Sequence, residues 1–307
     1  MNIVIVGKGA IASLWAYHLT QSSMITLSWF GSAGLAENDF QEARTFSTHS
    51  GNSFRFSMLQ TSKNRLASAD LLIVCVKAPL AAKAINEIAE FLSPNTDVLL
   101  CHNGMGVTES LSAQVRGNCA IYSALTTHGC KRVTPHHVQH TGIGITDIGP
   151  RNDTASPDAP HWLHILHQAL PTIFWHSDIK EKQWLKLAIN CVINPLTAAN
   201  QVENGALLTP QYAKDISTLA QEVAMIANAE GIVMESENIE RIAKQVARDT
   251  AKNTSSMLAD VLARRKTEIE HINGFLLKLA NKHQIKLPMS QDLVNTIKRI
   301  EEEYYQQ

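Results

Sequence analysis

The sequence predicts an α/β protein in two parts: a parallel sheet covered by helices over residues 1–177, and an all-α domain over residues 178–307. Two patterns support this prediction. In the first part, short apolar runs alternate with helical segments, which is typical of parallel strands buried on both faces. In the second part, apolar residues recur at helical spacing throughout.

The strands of the first domain are predicted where apolar and β-branched residues run without interruption. Residues 31–53 are rich in Gly, Ser, Thr and Asn and give no clear prediction. The polar, proline-containing stretch 150–160 is predicted to be a connection. The predicted strands are residues 2–6, 24–29, 71–77, 98–102, several within 119–149, and 172–176.

In the second domain, the start and stop signals of helices set the predicted boundaries. Thr209 followed by Pro210 predicts a helix start, and Gly231 predicts its end. One long helix is predicted after Ser256, and Ser290 is expected to cap the last helix. The long helix is expected to bury four apolar residues together with one acidic residue: Leu258, Val261, Ile272, Phe275 and Glu268.

The composition is that of a globular protein and excludes several function classes. Of 307 residues, 45% are hydrophobic and 18% charged, and the formal net charge is -1. A nucleic-acid or membrane-surface partner normally requires a basic face, so neither is expected. The apolar N-terminus lacks the basic segment of a signal peptide. The five cysteines include no C-x-x-C pair, which favours a reduced, cytoplasmic compartment.

A glycine-rich loop opens the chain. The stretch "IVIVGKGAIA" matches G-x-G-x-x-A at Gly7, Gly9 and Ala12, directly after a predicted strand and before a predicted helix. In that context the first glycine permits a tight turn, and the second lets the backbone approach a pyrophosphate at the helix N-terminus. The loop therefore predicts a Rossmann-type dinucleotide site, and the alternative is a turn with a structural role only.

The residues after the second strand indicate which dinucleotide is bound. NAD-binding domains usually carry a carboxylate there, about 20 residues after the loop. This sequence has "WFGS" at 29–32, without a carboxylate or an arginine, and NADP is the expected cofactor. Ser32 and Lys77 could supply donors to a 2′-phosphate. Lys77 ends one predicted strand and Asn103 follows another, and ligands bind at such strand ends in open α/β sheets. The alternative is that they are a solvated strand end and an ordinary turn.

A polar stripe in the second domain is the strongest chemical signal. Lys186, Asn190 and Asn194 are four residues apart in the apolar segment "KLAINCVINP", so a helix places them on one face. Burying an unpaired lysine is costly, and Glu268 is the expected partner. The alternative is a lysine that reaches solvent and two asparagines that bond to backbone.

Two further polar segments each have a structural and a functional interpretation. The hydroxyls and N–H groups of "KNTSS", residues 252–256, suit a carboxylate, although they would also cap the following helix. Histidines recur every three residues in "HWLHILH" as His161, His164 and His167. No carboxylate or cysteine cluster accompanies them, so a solvated helix is expected and no metal site.

Together these segments resemble ketopantoate reductases, the 2-dehydropantoate 2-reductases. The resemblance is carried by "GKGAIASLW", "LLIVCVKA", "HNGMG", "TTHG", "WLKLAINCVINPLTA", "NTSSML" and "RRKTEIEHINGFLL", and it covers the chain apart from roughly 31–65 and 150–160. It implies NADPH-dependent reduction of ketopantoate to (R)-pantoate, on the route to pantothenate and coenzyme A. It also implies a Rossmann domain, a helical domain, an active site in the cleft between them and a possible homodimer.

Residue by residue, the resemblance implies that Lys186 is the general acid and that Glu268 is catalytic beside it. The cofactor-binding residues that it implies are Gly7, Lys8, Gly9, Ala10, Ile11, Ala12, Lys77, Asn103, Cys130 and Glu268. The substrate-binding residues that it implies are Asn103, Lys186, Asn190, Asn194, Asn204, Asn253, Thr254, Ser255 and Ser256.

Three positions depart from the family pattern. Gly31 stands where members often have an arginine for the 2′-phosphate, Ala12 replaces the third loop glycine, and Cys130 replaces a common alanine. Two rival functions remain open: a reductase of the same architecture acting on another 2-keto or 3-hydroxy acid, and an NADP-binding sensor without turnover.

Overall fold

The computed structural model describes residues 1–32, 34–37, 40–170 and 172–304, and the chain forms two compact units. The first unit contains Met1–His102 and Val107–Ile179, and the second contains Asn103–Gly106 and Lys180–Gln307. The domain boundary predicted after residue 177 stays a prediction. A single boundary also could not place the turn 103–106 in the second unit, where the structure has it. In the part of the chain that is described, no helix is both long and apolar enough to cross a membrane.

The first unit is built on one sheet, and its described residues supply eleven strands in the order β11-β10-β7-β6-β5-β1-β2-β4-β3-β9-β8. Strands β1, β2, β4, β5, β6 and β7 form a parallel centre, as the apolar runs predict. The strands are β1 Asn2–Val6, β2 Thr26–Phe30, β3 Gln41–Ser47, β4 Ser53–Gln60, β5 Leu71–Val74, β6 Asp97–Leu100, β7 Ile121–Thr126, β8 Gly129–Thr134, β9 His137–Gly142, β10 Thr146–Pro150 and β11 Ile173–Trp175.

Antiparallel pairs extend the sheet on both sides of its parallel centre, so the predicted parallel sheet is the centre of a larger mixed sheet. β3 pairs with β4, β8 with β9, and β7 with β10 in antiparallel register. Residues 31–53, which the sequence left without a prediction, contain all of β3. Arg44 and Phe46, two residues apart on β3, are buried, whereas Ala43 is exposed and Thr45 only partly buried, which is the pattern of a strand with one buried face.

Helices cover both faces of the sheet and create two apolar cores. Trp15 on α1 and Trp162 before α5 belong to one core, and Ile85 on α3 and Val115 on α4 belong to the other. This burial on both faces explains why the central strands are apolar throughout. The helices of this unit are α1 Ala10–Leu19, α2 Lys63–Ala67, α3 Ala78–Ile88, α4 Ala113–Asn118 and α5 Leu163–Ala169.

The second unit is helical over its described residues, which confirms the predicted fold class. Short 3-10 segments at Asn204–Leu208, Pro210–Tyr212 and Ile269–His271 connect its helices. One apolar core, which includes Leu187, Leu219 and Leu276, holds the helices together. They are α6 Lys180–Asn200, α7 Ala213–Ala229, α8 Ser236–Asp249, α9 Ser256–Leu262, α10 Asn273–His283 and α11 Pro288–Glu303.

The predicted long helix after Ser256 is wrong. Helix α9 ends at Leu262, and α10 begins only at Asn273. Between them the polar run "RRKT" leaves the helix, with Arg264 in the left-handed region at φ 48°. Glu268 therefore lies in the connection before the 3-10 turn Ile269–His271, and helical phase does not explain its burial.

The predicted helix boundaries are correct at Gly231 and wrong at Ser290. Gly231 has φ +80° and follows the end of α7, as a C-terminal glycine should. Ser290 lies inside α11, which begins at Pro288, and its N–H donates to the Glu222 carboxylate at 2.8 Å. Thr209 precedes a 3-10 turn, and its hydroxyl donates to the Ala206 carbonyl instead of capping.

Candidate active site

The glycine loop of the first unit has the geometry of a phosphate-binding turn. Gly7 adopts φ +99°, and a Cβ there would lie 2.7 Å from Val76 Cγ1, so only glycine fits. Gly9 is the N-terminal flanking residue of α1, without a side-chain cap. The first turn of α1 carries no acidic residue, so its N–H groups and positive dipole end suit an anion. The loop fits a dinucleotide pyrophosphate.

The other predicted cofactor residues of the first unit lie on separate elements. Lys77 follows β5 and directly precedes α3. Cys130 lies on β8, where burial raises the pKa of its thiol to about 12, so it is a packing residue and not a thiolate at neutral pH. Ala12 on α1 is fully buried and Ile11 partly so, which fits close packing of helix on strand.

A group of charged residues near the end of β2 was not predicted. Glu42 on β3 bonds to Lys8 and accepts from Arg44 Nη2 at 2.7 Å. Arg44 lies over the Trp29 ring, with its guanidinium carbon 4.5 Å from the ring centroid. Arg132 on β8 donates to the Lys8 carbonyl at 3.2 Å. No single run of sequence signals this group, because it joins residues from the loop, β2, β3 and β8.

In the second unit, the polar stripe lies on α6 as the spacing predicts. Lys186 and Asn190 are partly buried, and Asn194 is 6% exposed. The Asn190 amide nitrogen is buried and has no hydrogen-bond acceptor among the described residues. A buried donor without an acceptor is unfavourable in the protein alone, and such a group is typical of a site completed by a ligand or water.

Pro195 explains how α6 is joined to the segment that carries Glu268. A proline lacks an N–H, so it leaves the Cys191 carbonyl without its usual i+4 donor. Asn273, which is fully buried, donates its amide Nδ2 to that carbonyl at 3.1 Å. Asn273 begins α10, five residues after Glu268. Sequence analysis missed Asn273, and its only signal is the asparagine in the buried stretch "HINGF".

The turn Asn103–Gly106 is bound to the same segment. Met105 N–H donates to the His271 carbonyl at 2.9 Å, and the Asn103 amide donates to Glu268 Oε2 at 3.1 Å. Gly104, with φ +80°, allows this approach, since a Cβ there would lie 2.3 Å from the His271 carbonyl oxygen. The carboxylate of Glu268 is 7% exposed and is therefore held in a fixed direction.

The predicted carboxylate-binding segment joins α6 through hydroxyl contacts. Ser255 caps α9, accepting from Leu258 N–H at 3.1 Å, and its Oγ lies 2.7 Å from Thr197 Oγ1 on α6. Ser256 and Thr254 are exposed beside it.

Asn204, also predicted to bind substrate, bonds mainly to its own unit. Its amide donates to the Thr250 hydroxyl at 2.9 Å, and its N–H donates to the Asn253 carbonyl at 3.1 Å. The side chain is 7% exposed, and its Oδ1 has no donor among the described residues. Asn204 thus holds the loop that leads to Ser255.

The histidines of "HWLHILH" occupy the segment around α5, with His161, His164 and His167 exposed. Within the described residues, no group of three or more His, Cys, Asp or Glu side chains has the geometry of a metal site. All five cysteines are free thiols. Burial raises the pKa of Cys191 on α6, which is fully buried in the core, and the nearby Glu222 carboxylate adds to the effect.

Two family models match the chain. The model of "Ketopantoate reductase PanE/ApbA" covers residues 3–153, and that of its C-terminal part covers residues 178–301. The 2-dehydropantoate 2-reductase of Vibrio cholerae is 34% identical over 304 residues, 99% of each chain. That of Escherichia coli O157:H7 is 35% identical over 310 residues, covering 99% of this chain and 96% of the relative.

Solved structures share the fold at lower sequence identity. A D-mandelate dehydrogenase, solved with NADH and anilino(oxo)acetate, superposes with a TM-score of 0.86 at 22% identity and covers 99% of this chain and all of its own. A ketopantoate reductase from Ralstonia eutropha has a TM-score of 0.81 at 21% identity, with the same coverage. At 21–22% identity, the likeness to these two structures shows a shared fold and no more.

Proposed function

The chain belongs to the ketopantoate reductase family, and we propose that it reduces 2-dehydropantoate to (R)-pantoate with NADPH. The observation that carries the proposal is the stripe on α6: a lysine one turn before a buried amide donor that has no acceptor within the described residues. That pairing suits an oxygen-rich substrate whose carbonyl gains negative charge during reduction.

The first unit is proposed to hold the cofactor through the residues of the glycine loop. The positive φ of Gly7, the uncapped start of α1 and the lack of acidic residues there all favour the two phosphates. NADPH, when bound, supplies the hydride for the carbonyl carbon. Lys77, at the start of α3, is proposed to approach the cofactor from the neighbouring strand.

Lys186 is proposed as the general acid. Its ammonium group would stabilise the negative charge on the substrate's carbonyl oxygen and then transfer a proton from Nζ to it. Glu268, fixed by the Asn103 amide, is proposed to orient the lysine and to accept from a hydroxyl of the substrate or of the nicotinamide ribose.

The asparagines of α6 are proposed to orient the substrate. Asn190 would donate its unsatisfied Nδ2 to a substrate oxygen, and Asn194, one turn further along, would bond the hydroxyl. Ser256 and the exposed residues Asn253 and Thr254 are proposed to receive the carboxylate. The contact between Ser255 and Thr197 fixes this segment relative to α6.

We also propose a cytoplasmic location and a homodimeric assembly. Five free thiols are consistent with a reducing compartment, where ketopantoate reduction would take place. The dimer stays a prediction, which light scattering after size-exclusion chromatography would test.

Steady-state oxidation of NADPH in the presence of a panel of 2-keto acids tests the proposed function. Ketopantoate should give the highest kcat/KM, and NADPH should exceed NADH by roughly 10-fold or more, as expected when one charged group is recognised. A higher kcat/KM with another 2-keto acid would instead establish a different reductase of the same fold. Cofactor binding without turnover would establish a sensor.

A further inference from the structure

The charged group at the end of β2 lies where a Rossmann domain distinguishes NADP from NAD. Gly31 directly follows β2 and leaves space that the Lys8 side chain fills: a Cβ on Gly31 would lie 2.9 Å from Lys8 Cε. Lys8 Nζ also lies 5.1 Å from the centroid of the Trp29 ring, on β2. A cation from the glycine loop therefore stands over the end of β2, although the residue after that strand has no side chain.

Arg44 and Arg132 fix the position of this lysine. Arg44 Nη1 and Arg132 Nη2 both donate to the Lys8 carbonyl, each at 3.2 Å. Arg44 is 5% exposed and also binds Glu42 through Nε and Nη2, at 3.0 and 2.7 Å. Arg132 is exposed on β8, and its planar guanidinium has the geometry that suits a phosphate.

The charge of the group suits a dianion. Among the described residues, the group of Lys8, Arg44, Arg132 and Glu42 holds three permanent cations and one carboxylate, a formal charge of +2. His136, whose Nδ1 lies 3.4 Å from Glu42 Oε1, would add to it when protonated. Burial acts to raise the pKa of Glu42, but the hydrogen bonds from Lys8 and Arg44 outweigh it and lower that pKa. Glu42 is thus an anion engaged by two cations.

We propose that Lys8 and Arg132 bind the 2′-phosphate of NADP(H), with Arg44 and Glu42 as positioning residues, in place of an arginine directly after β2. This proposal rests on the proposed function only in the choice of cofactor. The competing assignment is that Glu42 accepts a hydrogen bond from the 2′-hydroxyl of NADH, as carboxylates near this strand end do in NAD-binding domains.

Isothermal titration calorimetry with adenosine 2′,5′-bisphosphate and adenosine 5′-monophosphate tests the site without turnover. The measured quantity is the ratio of the two dissociation constants, which isolates the 2′-phosphate. The wild-type protein should bind the bisphosphate roughly 10-fold or more tightly. Lys8→Met and Arg132→Gln should each lower that ratio several-fold, and a circular dichroism spectrum and a Tm like those of the wild type show that the variants fold.

Lys131→Gln is the matched control, because neighbouring residues of β8 point to opposite faces. It should leave the ratio unchanged. Glu42→Gln should keep or increase the ratio, since it releases Lys8. The proposal is overturned by a wild-type ratio near one, by an unchanged ratio in both cation variants, or by weaker binding of the monophosphate and NADH in Glu42→Gln. Failure of ketopantoate reduction would not change these ratios, so the two proposals fail separately.

Discussion

Asn190 shows how a single atom can indicate a ligand. Most buried donors in proteins have an acceptor, because leaving one unsatisfied costs roughly 1–3 kcal/mol. The Asn190 Nδ2 has none among the described residues, although it lies in a well-packed helix. A substrate oxygen that accepts a hydrogen bond from Asn190 Nδ2 would satisfy this donor and remove that cost.

Replacing Asn190 by alanine should separate activity from stability. We expect kcat/KM for ketopantoate to fall roughly 10-fold or more, since the bond to substrate is lost. The free energy of unfolding should change by less than about 1 kcal/mol, because the Asn190 amide nitrogen has no acceptor among the described residues.

The matched control is Asn200→Ala, at the exposed end of the same helix. It should leave kcat/KM unchanged. A large loss of stability in Asn190→Ala, with kcat/KM near that of the wild type, would show that Asn190 is a structural residue.

At the scale of elements, α6 and the segment 267–275 depend on each other. Pro195 frees one carbonyl of α6, and Asn273 occupies it. The turn 103–106 binds the same segment through the His271 carbonyl. Because Glu268 lies in this segment, its direction depends on the bond from Asn273 to the carbonyl of Cys191, the residue after Asn190.

A double-mutant cycle on Pro195 and Asn273 tests this dependence. Asn273→Ala should destabilise the helical unit by about 1–3 kcal/mol, because it leaves the Cys191 carbonyl buried without a donor. Adding Pro195→Ala supplies an N–H at the position from which α6 would normally bond that carbonyl. The double variant should therefore regain part of the loss in urea-induced unfolding, with a coupling of at least about 0.5 kcal/mol. Additive effects would contradict the link.

The parts of the candidate site that depend on local spacing could be predicted from the sequence, whereas the parts that depend on contacts between distant segments could not. The loop at Gly7 and the stripe at Lys186 depend on local spacing, which the sequence displays directly. Glu268 was correctly selected as a buried carboxylate, but the long helix predicted around it is wrong. The run "RRKT" leaves the helix, and Thr267 N–H donates at 2.7 Å to the carboxylate of Glu301, a residue distant in sequence. The group of Lys8, Trp29, Glu42 and Arg132 joins residues of the glycine loop, β2, β3 and β8, and no local pattern carries that information.

At the scale of the whole molecule, the chain divides into two units with different sensitivities. The first unit contains a buried histidine pair, in which His128 Nδ1 lies 3.1 Å from His140 Nε2. Gly144 N–H also donates to that Nδ1 at 3.2 Å, so His128 serves as an acceptor and is neutral in the fold. Burial lowers the pKa of His128 to about 4, with additional repulsion from His140 and His18.

The first unit should therefore lose stability in mild acid. The pKa of His128 is 6.5 in the unfolded chain, its ordinary value, and about 4 in the folded protein. Between these values the unfolded chain takes up a proton that the fold does not, so stability is complete above pH 6.5 and falls down to about pH 4. Thermal unfolding followed across this range should show a declining Tm.

His128→Gln should flatten that decline, and His167→Gln, an exposed histidine on α5, should not. A decline of equal size in wild type and His128→Gln would assign the acid sensitivity to other groups.

The most direct test of the central claim is the turnover of Lys186→Ala with NADPH and ketopantoate. Lys182→Ala, an exposed lysine one turn earlier on α6, is the control. If Lys186 donates the proton, its loss should lower kcat by about 10²- to 10⁴-fold. Lys182→Ala should retain the wild-type kcat, and both variants should unfold at the Tm of the wild type. A Lys186→Ala enzyme that is folded and turns over at close to the wild-type rate would contradict the account.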